Sequence, residues 1–304
     1  MFYCVLSTSR RNKGLEKLLI NTITMKTSIR FITVLLALIC CRNGAAQIIS
    51  APLNIGITEK FYSKILHEDR KINIYLPENY NFKDTLKYPV ILIPDGGIEE
   101  DFIHIAGIVR YYTQPWIARF PKSIVVGIEN TNRKRDFTFA VTNLDFLQKN
   151  GYKKEAIAAY GGSGNYIAFL KNELMPYLHA KYRAGLQRTV IGESLAGLLA
   201  TEILLAHTDM FDNYIIVSPS LWWNDGSLLK QKDKIESLDN KVKVYIGAPN
   251  ESEDKKMFAD AKTLYSIASQ NKHITAFFDH ISDEYHATVF HQAVYNGFKK
   301  LYPL

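Results

Sequence analysis

Short apolar runs, bounded by polar and turn-forming residues, recur between positions 72 and 278 and alternate with longer segments of helical periodicity. The runs lie at 72–76, 89–93, 123–128, 188–191, 214–217, 243–246 and 274–278. Several are unbroken Val/Ile/Leu/Tyr stretches, the pattern of strands covered on both faces within a parallel sheet. Helices are predicted over 101–112, 165–181, 195–206, 254–269 and 287–301; in the second, Ile167, Leu170, Leu174 and Leu178 fall on one face. Such alternation builds βαβ units, so the expected fold is α/β, a mostly parallel central sheet with helices on both faces. Residues 130–162 have no clear period and read as an insertion or long loop over the sheet edge. No repeat or linker interrupts 47–304, which are expected to form a single domain.

Ahead of that domain, the segment from Met25 (MKTSIRFITVLLALICCRNGAAQ) sets Lys26 and Arg30 before an apolar run at 31–41, then Gly44, Ala45 and Ala46 before Gln47. This is the order of a secretory signal peptide. The apolar run is shorter than the roughly 20 residues a bilayer-spanning helix needs. Residues 1–46 are therefore expected to be a leader cut after Ala46, with Met25 a plausible start. The mature chain would be periplasmic or extracellular, with no stable membrane insertion. A membrane anchor or a buried first helix is the alternative, and lipidation fits poorly because neither Cys40 nor Cys41 follows a small residue.

Composition sharpens this division. The chain carries 37 Lys+Arg against 30 Asp+Glu, a net charge of +7. Residues 1–46 hold Arg10, Arg11, Lys13, Lys17, Lys26, Arg30 and Arg42 against Glu16, so the remainder is nearly neutral. The basic excess thus gives no reason to expect nucleic acid as a partner. All three cysteines, Cys4, Cys40 and Cys41, also fall in the leader, so the exported part needs no oxidative folding. With 47% apolar and 22% charged residues, disorder is excluded.

The sequence TVIGESLAGLLA at 189–200 is an apolar strand running into Gly-x-Ser and then an Ala/Leu-rich helix. In a nucleophile elbow the serine sits in a strained turn, and small residues two before and two after it let strand and helix approach. Gly192 and Ala196 fill those places around Ser194. The Leu195 N–H would face an oxyanion at the helix N-terminus. A Gly-Glu-Ser turn that merely starts a helix is the plain alternative.

A serine nucleophile needs a base held by a third group, and in this fold they follow in the order Ser, acid, His. His286, between the last strand and the last helix, is the candidate base, with His280 as runner-up. For the acid, Glu251 is first past the strand at 243–246, while Glu253 and Asp254 suit capping of the next helix. The second oxyanion donor would be the N–H of Gly97 or Ile98, in the Asp-Gly-Gly turn after the strand at 89–93. Trp222 and Trp223 are candidate walls for an aromatic or sugar-like acyl group, unless they pack in the core. Arg133 and Arg135 are candidates to pair an anionic substrate group, unless they form a network with Asp136. No His/Cys/Asp cluster has metal-ligand spacing, so no metal or cofactor is expected.

These segments resemble the esterase D-like branch of the α/β-hydrolases, which includes siderophore, feruloyl and acetyl-xylan esterases. The matching blocks are YPVILIPDG at 88–96, GIENTNRKRD at 127–136, GG at 161–162, NELMP at 172–176, GESLAG at 192–197, SPSLWW at 218–223 and HATV at 286–289. The departure is Ala196 where Gly is usual. The resemblance implies metal-independent hydrolysis of a carboxylic ester through an acyl-enzyme, with Ser194 as nucleophile, His286 as base and an acid at Glu251. The expected substrates are small-molecule esters of siderophore or aromatic acids, or carbohydrate acyl esters. The same site would serve a peptidase or an acyltransferase, and a non-catalytic binding protein on this scaffold is the rival from another class.

Overall fold

Eight strands form one sheet in the order β1-β2-β4-β3-β5-β6-β7-β8 in a computed structural model that describes residues 8–42, 48–83 and 85–304. They are β1 (Ile57–Ser63), β2 (Glu68–Tyr75), β3 (Tyr88–Ile93), β4 (Ile124–Ile128), β5 (Ala184–Glu193), β6 (Asn213–Val217), β7 (Val242–Ala248) and β8 (Ile274–His280). β1 and β2 run antiparallel to their neighbours, and every pairing from β4 to β8 is parallel. Seven of the eight strands coincide with the apolar runs. The exception is β1, an edge strand of mostly exposed residues with no apolar run to betray it.

Among the described residues the helices are α1 (Thr8–Arg42), α2 (Phe102–Tyr112), α3 (Arg133–Asp136), α4 (Asp145–Lys149), α5 (Ser163–Phe169), α6 (Met175–Tyr182), α7 (Leu195–Ala206), α8 (Lys232–Glu236), α9 (Lys255–Ala268) and α10 (Val289–Leu301). One wide π turn, Leu170–Leu174, joins α5 to α6, so the helix predicted over 165–181 is continuous but locally under-wound. The insertion at 130–162 contains α3, α4 and a short 3₁₀ turn.

Residues along each central strand alternate between two cores. Val90, Leu92, Tyr214 and Ile216 pack with α5 to α9 on one face, and Ile91, Ile93, Ile215 and Val217 pack with α2 and α10 on the other. A buried ion network ties the insertion to the sheet: Arg70 of β2 meets Asp136 at 2.6 Å, and Arg135 bridges Glu68 and Asp136 at 2.6 and 2.7 Å. Arg70 and Asp136 are almost wholly buried, so each needs the other to offset its lost hydration.

The chain divides into two units, Met1–Leu53 and Asn54–Leu304. In the first, α1 extends well upstream of Met25. Its segment Gly14–Ala37 is long and apolar enough to cross a membrane. The 31–41 run alone is too short for that, and the difference comes from Leu15, Leu18, Leu19, Ile20 and Ile23 in the same helix. A signal sequence near an N-terminus meets the same criterion of length and composition. The expected cleavage site, Gly44 to Gln47, and Cys4 lie outside the described residues.

The carboxyl ends of the central strands stop nearly level: Glu193 is opposite Val217, and Val217 is opposite Gly247. Where β5 turns into α7, a Cβ on Gly192 would overlap the Ala196 carbonyl. Gly192→Ala is therefore expected to destabilise the fold by about 1–3 kcal/mol, the usual cost of overpacking. Urea unfolding measures it, and an unchanged midpoint would show that the elbow has room to spare.

Candidate active site

Ser194 closes β5 and opens α7 with φ 57° and ψ −116°, a positive φ that a non-glycine side chain adopts only under strain. Three backbone bonds hold it there. Its N–H donates to the Val217 carbonyl at 3.1 Å, and its own carbonyl accepts from Leu198 at 2.9 Å and from Ser220 at 2.9 Å. The side chain is consequently raised at the strand ends, while the Leu195 N–H stands at the first position of the helix without an acceptor among the described residues.

After β6 the chain continues as Ser218-Pro219-Ser220, with Ser218 also at positive φ, 39°. The Ser218 N–H donates to the Gly247 carbonyl at 2.8 Å, which extends the β6–β7 ladder by one bond. Gly197 lets this loop lie against α7, since a Cβ there would meet Pro219 Cα at 3.1 Å. The two hydroxyls then face different partners. Ser220 Oγ lies 3.2 Å from Ser194 Oγ, and Ser218 Oγ lies 2.8 Å from His286 Nδ1.

His286 is carried by a tight turn in which Thr288 N–H and Val289 N–H both donate to the Tyr285 carbonyl, at 3.0 and 2.9 Å. That turn is tied to the loop after β7: the Asn250 N–H donates to the Glu284 carbonyl at 2.8 Å, and Glu253 Oε2 accepts from the His286 N–H at 2.5 Å. Burial pushes the imidazole below its ordinary value; Glu253 opposes this, Arg133 adds to it and Asp254 opposes it. Ser194 Oγ and His286 share no hydrogen bond. His280, the other candidate base, is exposed and packs edge-on against Phe258 at 4.7 Å.

Other expected site residues fall differently. Glu251 does not reach the imidazole: it is exposed, and its side chain has no hydrogen-bond partner among the described residues. Asp254 caps α9 as expected, accepting from Lys256 and Met257, whereas Glu253 swings back to the His286 backbone. The Gly97 N–H is used within its own turn, donating to Glu100 Oε2 at 2.6 Å. That leaves the neighbouring N–H of half-exposed Ile98 without an acceptor among the described residues. Trp223 is fully buried, with its indole N–H donating to the Phe139 carbonyl, so it is core and not a substrate wall. Trp222 is also largely buried but stacks on half-exposed Tyr152 at 4.5 Å, and its indole nitrogen has no partner.

Arg133 is held from two sides. Asp95, at the end of β3, accepts from its Nε and Nη2 at 2.7 and 2.9 Å, and the Glu193 carbonyl accepts from Nη2 at 3.2 Å. Arg135 belongs to the Glu68–Asp136 network instead. Glu193, beside the candidate nucleophile, is a feature that motif reasoning overlooked: its Oε1 is buried without a partner. Burial, with Asp101 and Asp95 nearby, pushes its carboxyl up to about 8 against the partial relief from Arg133.

A strained serine between the fifth strand and its helix, level strand ends and a histidine after the last strand define an α/β-hydrolase fold. The profile of the family described as "Putative esterase" matches residues 63–300, and the chain belongs to that family of carboxylic ester hydrolases. It is 26% identical over 243 residues to the ferri-bacillibactin esterase BesA of Bacillus subtilis, covering 73% of this chain and 82% of that one. A siderophore triacetylfusarinine C esterase of Aspergillus fumigatus is 28% identical over 134 residues, 43% of this chain and 41% of the other. Among solved structures, an IroE-like serine hydrolase from Shewanella oneidensis superposes with a TM-score of 0.73 at 27% identity, over 81% of this chain and 80% of that one.

Glu193 generates a prediction about stability. Between about pH 4.5 and 8 the folded chain keeps a proton that the unfolded chain releases, so this group's contribution is complete below pH 4.5 and is lost as the pH rises to about 8. Glu193→Gln should flatten that decline, gaining on wild type in urea unfolding at alkaline pH relative to acid pH. Parallel profiles for the two proteins would show that Glu193 titrates alike in the folded and unfolded chain.

Proposed function

We propose that this serine ester hydrolase cleaves siderophore-type esters, with Ser194 as nucleophile and His286 as general base. The observation that carries the reading is the strained Ser194 elbow and an imidazole held through Nδ1 by Ser218, on the same loop whose Ser220 bonds Ser194. In the reaction Ser194 Oγ turns from Ser220 to His286 Nε2, which takes its proton as Oγ bonds to the ester carbonyl carbon. The carbonyl π pair moves onto oxygen, which in this reading the Leu195 and Ile98 N–H groups receive. Collapse breaks the C–O bond and the imidazolium returns its proton to the leaving alkoxide. Water then repeats the sequence on the acyl-enzyme.

Substrate class follows from the named relatives and from Arg133. A guanidinium fixed by Asp95 beside the elbow, within electrostatic reach of His286, suits an anionic ligand such as a catecholate ester or its ferric complex. The stack of Tyr152 on Trp222 offers an aromatic surface at the same end of the sheet. The α1 segment supports export, and the mature protein is read as beginning at Gln47.

The test is hydrolysis of catecholate and hydroxamate siderophore esters, with feruloyl and acetylated-sugar esters for comparison. Siderophore esters should be preferred, and Ser194→Ala and His286→Ala should each lower kcat by on the order of 10⁴-fold or more. Preference for acetylated sugars, or retained activity in Ser194→Ala, would overturn the assignment. Because burial lowers the His286 pKa, the acid limb of kcat/KM should fall below pH 6.5. A limb above that value would mean that a carboxylate dominates the imidazole.

A further inference from the structure

Resting on the reading of Ser194 and His286 above, we infer that the two tasks of a triad carboxylate are divided here, the Ser218 hydroxyl orienting the imidazole and the Glu253 carboxylate supplying charge through the loop. In a Ser-His-Asp triad one carboxylate both fixes the tautomer and stabilises the imidazolium. Among the described residues no carboxylate hydrogen-bonds His286 Nδ1. The atom in that place is Ser218 Oγ at 2.8 Å, on a residue 2% exposed.

The position of Ser218 is built rather than incidental. Its left-handed backbone is fixed by the bond from its N–H to Gly247 O at the end of β7, the strand after which a triad acid is expected. Two residues on, Ser220 holds Ser194 by both backbone and hydroxyl. One loop therefore sets the base against the nucleophile. For Nε2 to receive a proton, Nδ1 must carry one, so Nδ1–H donates and Ser218 Oγ accepts. With the roles reversed, Nε2 would be protonated and unable to act as base.

A hydroxyl gives orientation without charge. The charged groups that face His286 are Glu253 and Asp254 from the loop before α9 and Arg133 from α3. Asp254 is committed to capping α9. Glu253, on the backbone N–H of His286 itself, is the carboxylate positioned to oppose Arg133 as the imidazolium forms. Ser218 and Glu253 are thus positioning residues whose removal has different signatures.

The experiment combines ¹⁵N NMR of His286 with steady-state kinetics of full-length Ser218→Ala and Glu253→Gln on the best ester of the panel. In wild type above the imidazole pKa, Nδ1 should be the protonated nitrogen. Ser218→Ala should give a mixed tautomer and a kcat lower by about 10- to 100-fold, the scale of a misoriented catalytic group, with KM little changed. Glu253→Gln should keep the Nδ1–H tautomer while moving the acid limb of kcat/KM to lower pH. An unprotonated Nδ1 in wild type overturns the inference without any substitution. So does full kcat in Ser218→Ala, or tautomer mixing in Glu253→Gln. If Ser194→Ala or His286→Ala is itself active, it is the underlying assignment that fails.

Discussion

The rest of the site depends on the closeness of β5 and α7 around Ser194. A positive φ on a side-chain-bearing residue costs of order 1–3 kcal/mol and persists only where its surroundings leave no alternative. Here they leave none. Gly192 and Ala196 bring strand and helix together below the serine, and its N–H and C=O are claimed by Val217, Leu198 and Ser220. Relaxing the turn would break those bonds and uncover a helix buried along most of its length. The core thus maintains a strain that keeps one hydroxyl above the sheet.

From that point the geometry propagates by register. Because β5, β6 and β7 end level, the first residues beyond each strand are neighbours, and the ladder continues through Ser194 and Ser218 after formal strand pairing has stopped. The loops carrying Glu253 and His286 are laced together through Asn250, and so are referenced to the same strand ends. At the other side, Asp95 fixes Arg133 while the Glu68–Arg70–Asp136 network anchors the insertion that carries it. A guanidinium held by a bidentate partner loses less freedom on meeting an anion than a free surface lysine would.

Fold and elbow were legible because both are written in local pattern. Unbroken apolar runs mark doubly covered strands, and Gly-x-Ser with small flanking residues is a backbone requirement met within six positions. The edge strand β1 escaped because half-exposed residues carry no such signal. The carboxylate that meets the His286 backbone escaped for another reason. Chain order favours Glu251, the first carboxylate past β7, but the loop after Pro249 leaves Glu251 exposed and brings Glu253, two residues on, to the His286 backbone. For the pair Gly97 and Ile98 the pattern could not choose, because the Gly97 N–H is taken by Glu100, whose carboxylate also accepts from Asn130 of a distant loop. Trp222 and Trp223 are alike in sequence, but Trp223 turns to Phe139 and Trp222 to Tyr152.

Why a hydroxyl should occupy the place of a carboxylate can be argued from magnitudes. A carboxylate beside a half-buried imidazole costs several kcal/mol of desolvation while the imidazole is neutral. A neutral hydroxyl hydrogen bond involves a net free energy of only about 1 kcal/mol in either direction. This end of the sheet already holds Asp95, Asp101 and Glu193, and Glu193 is pushed up to about 8 by burial and those neighbours. Another buried anion would raise that pressure further. Placing the charge on Glu253, in an exposed loop where water shares its hydration, keeps it near the imidazolium without that cost.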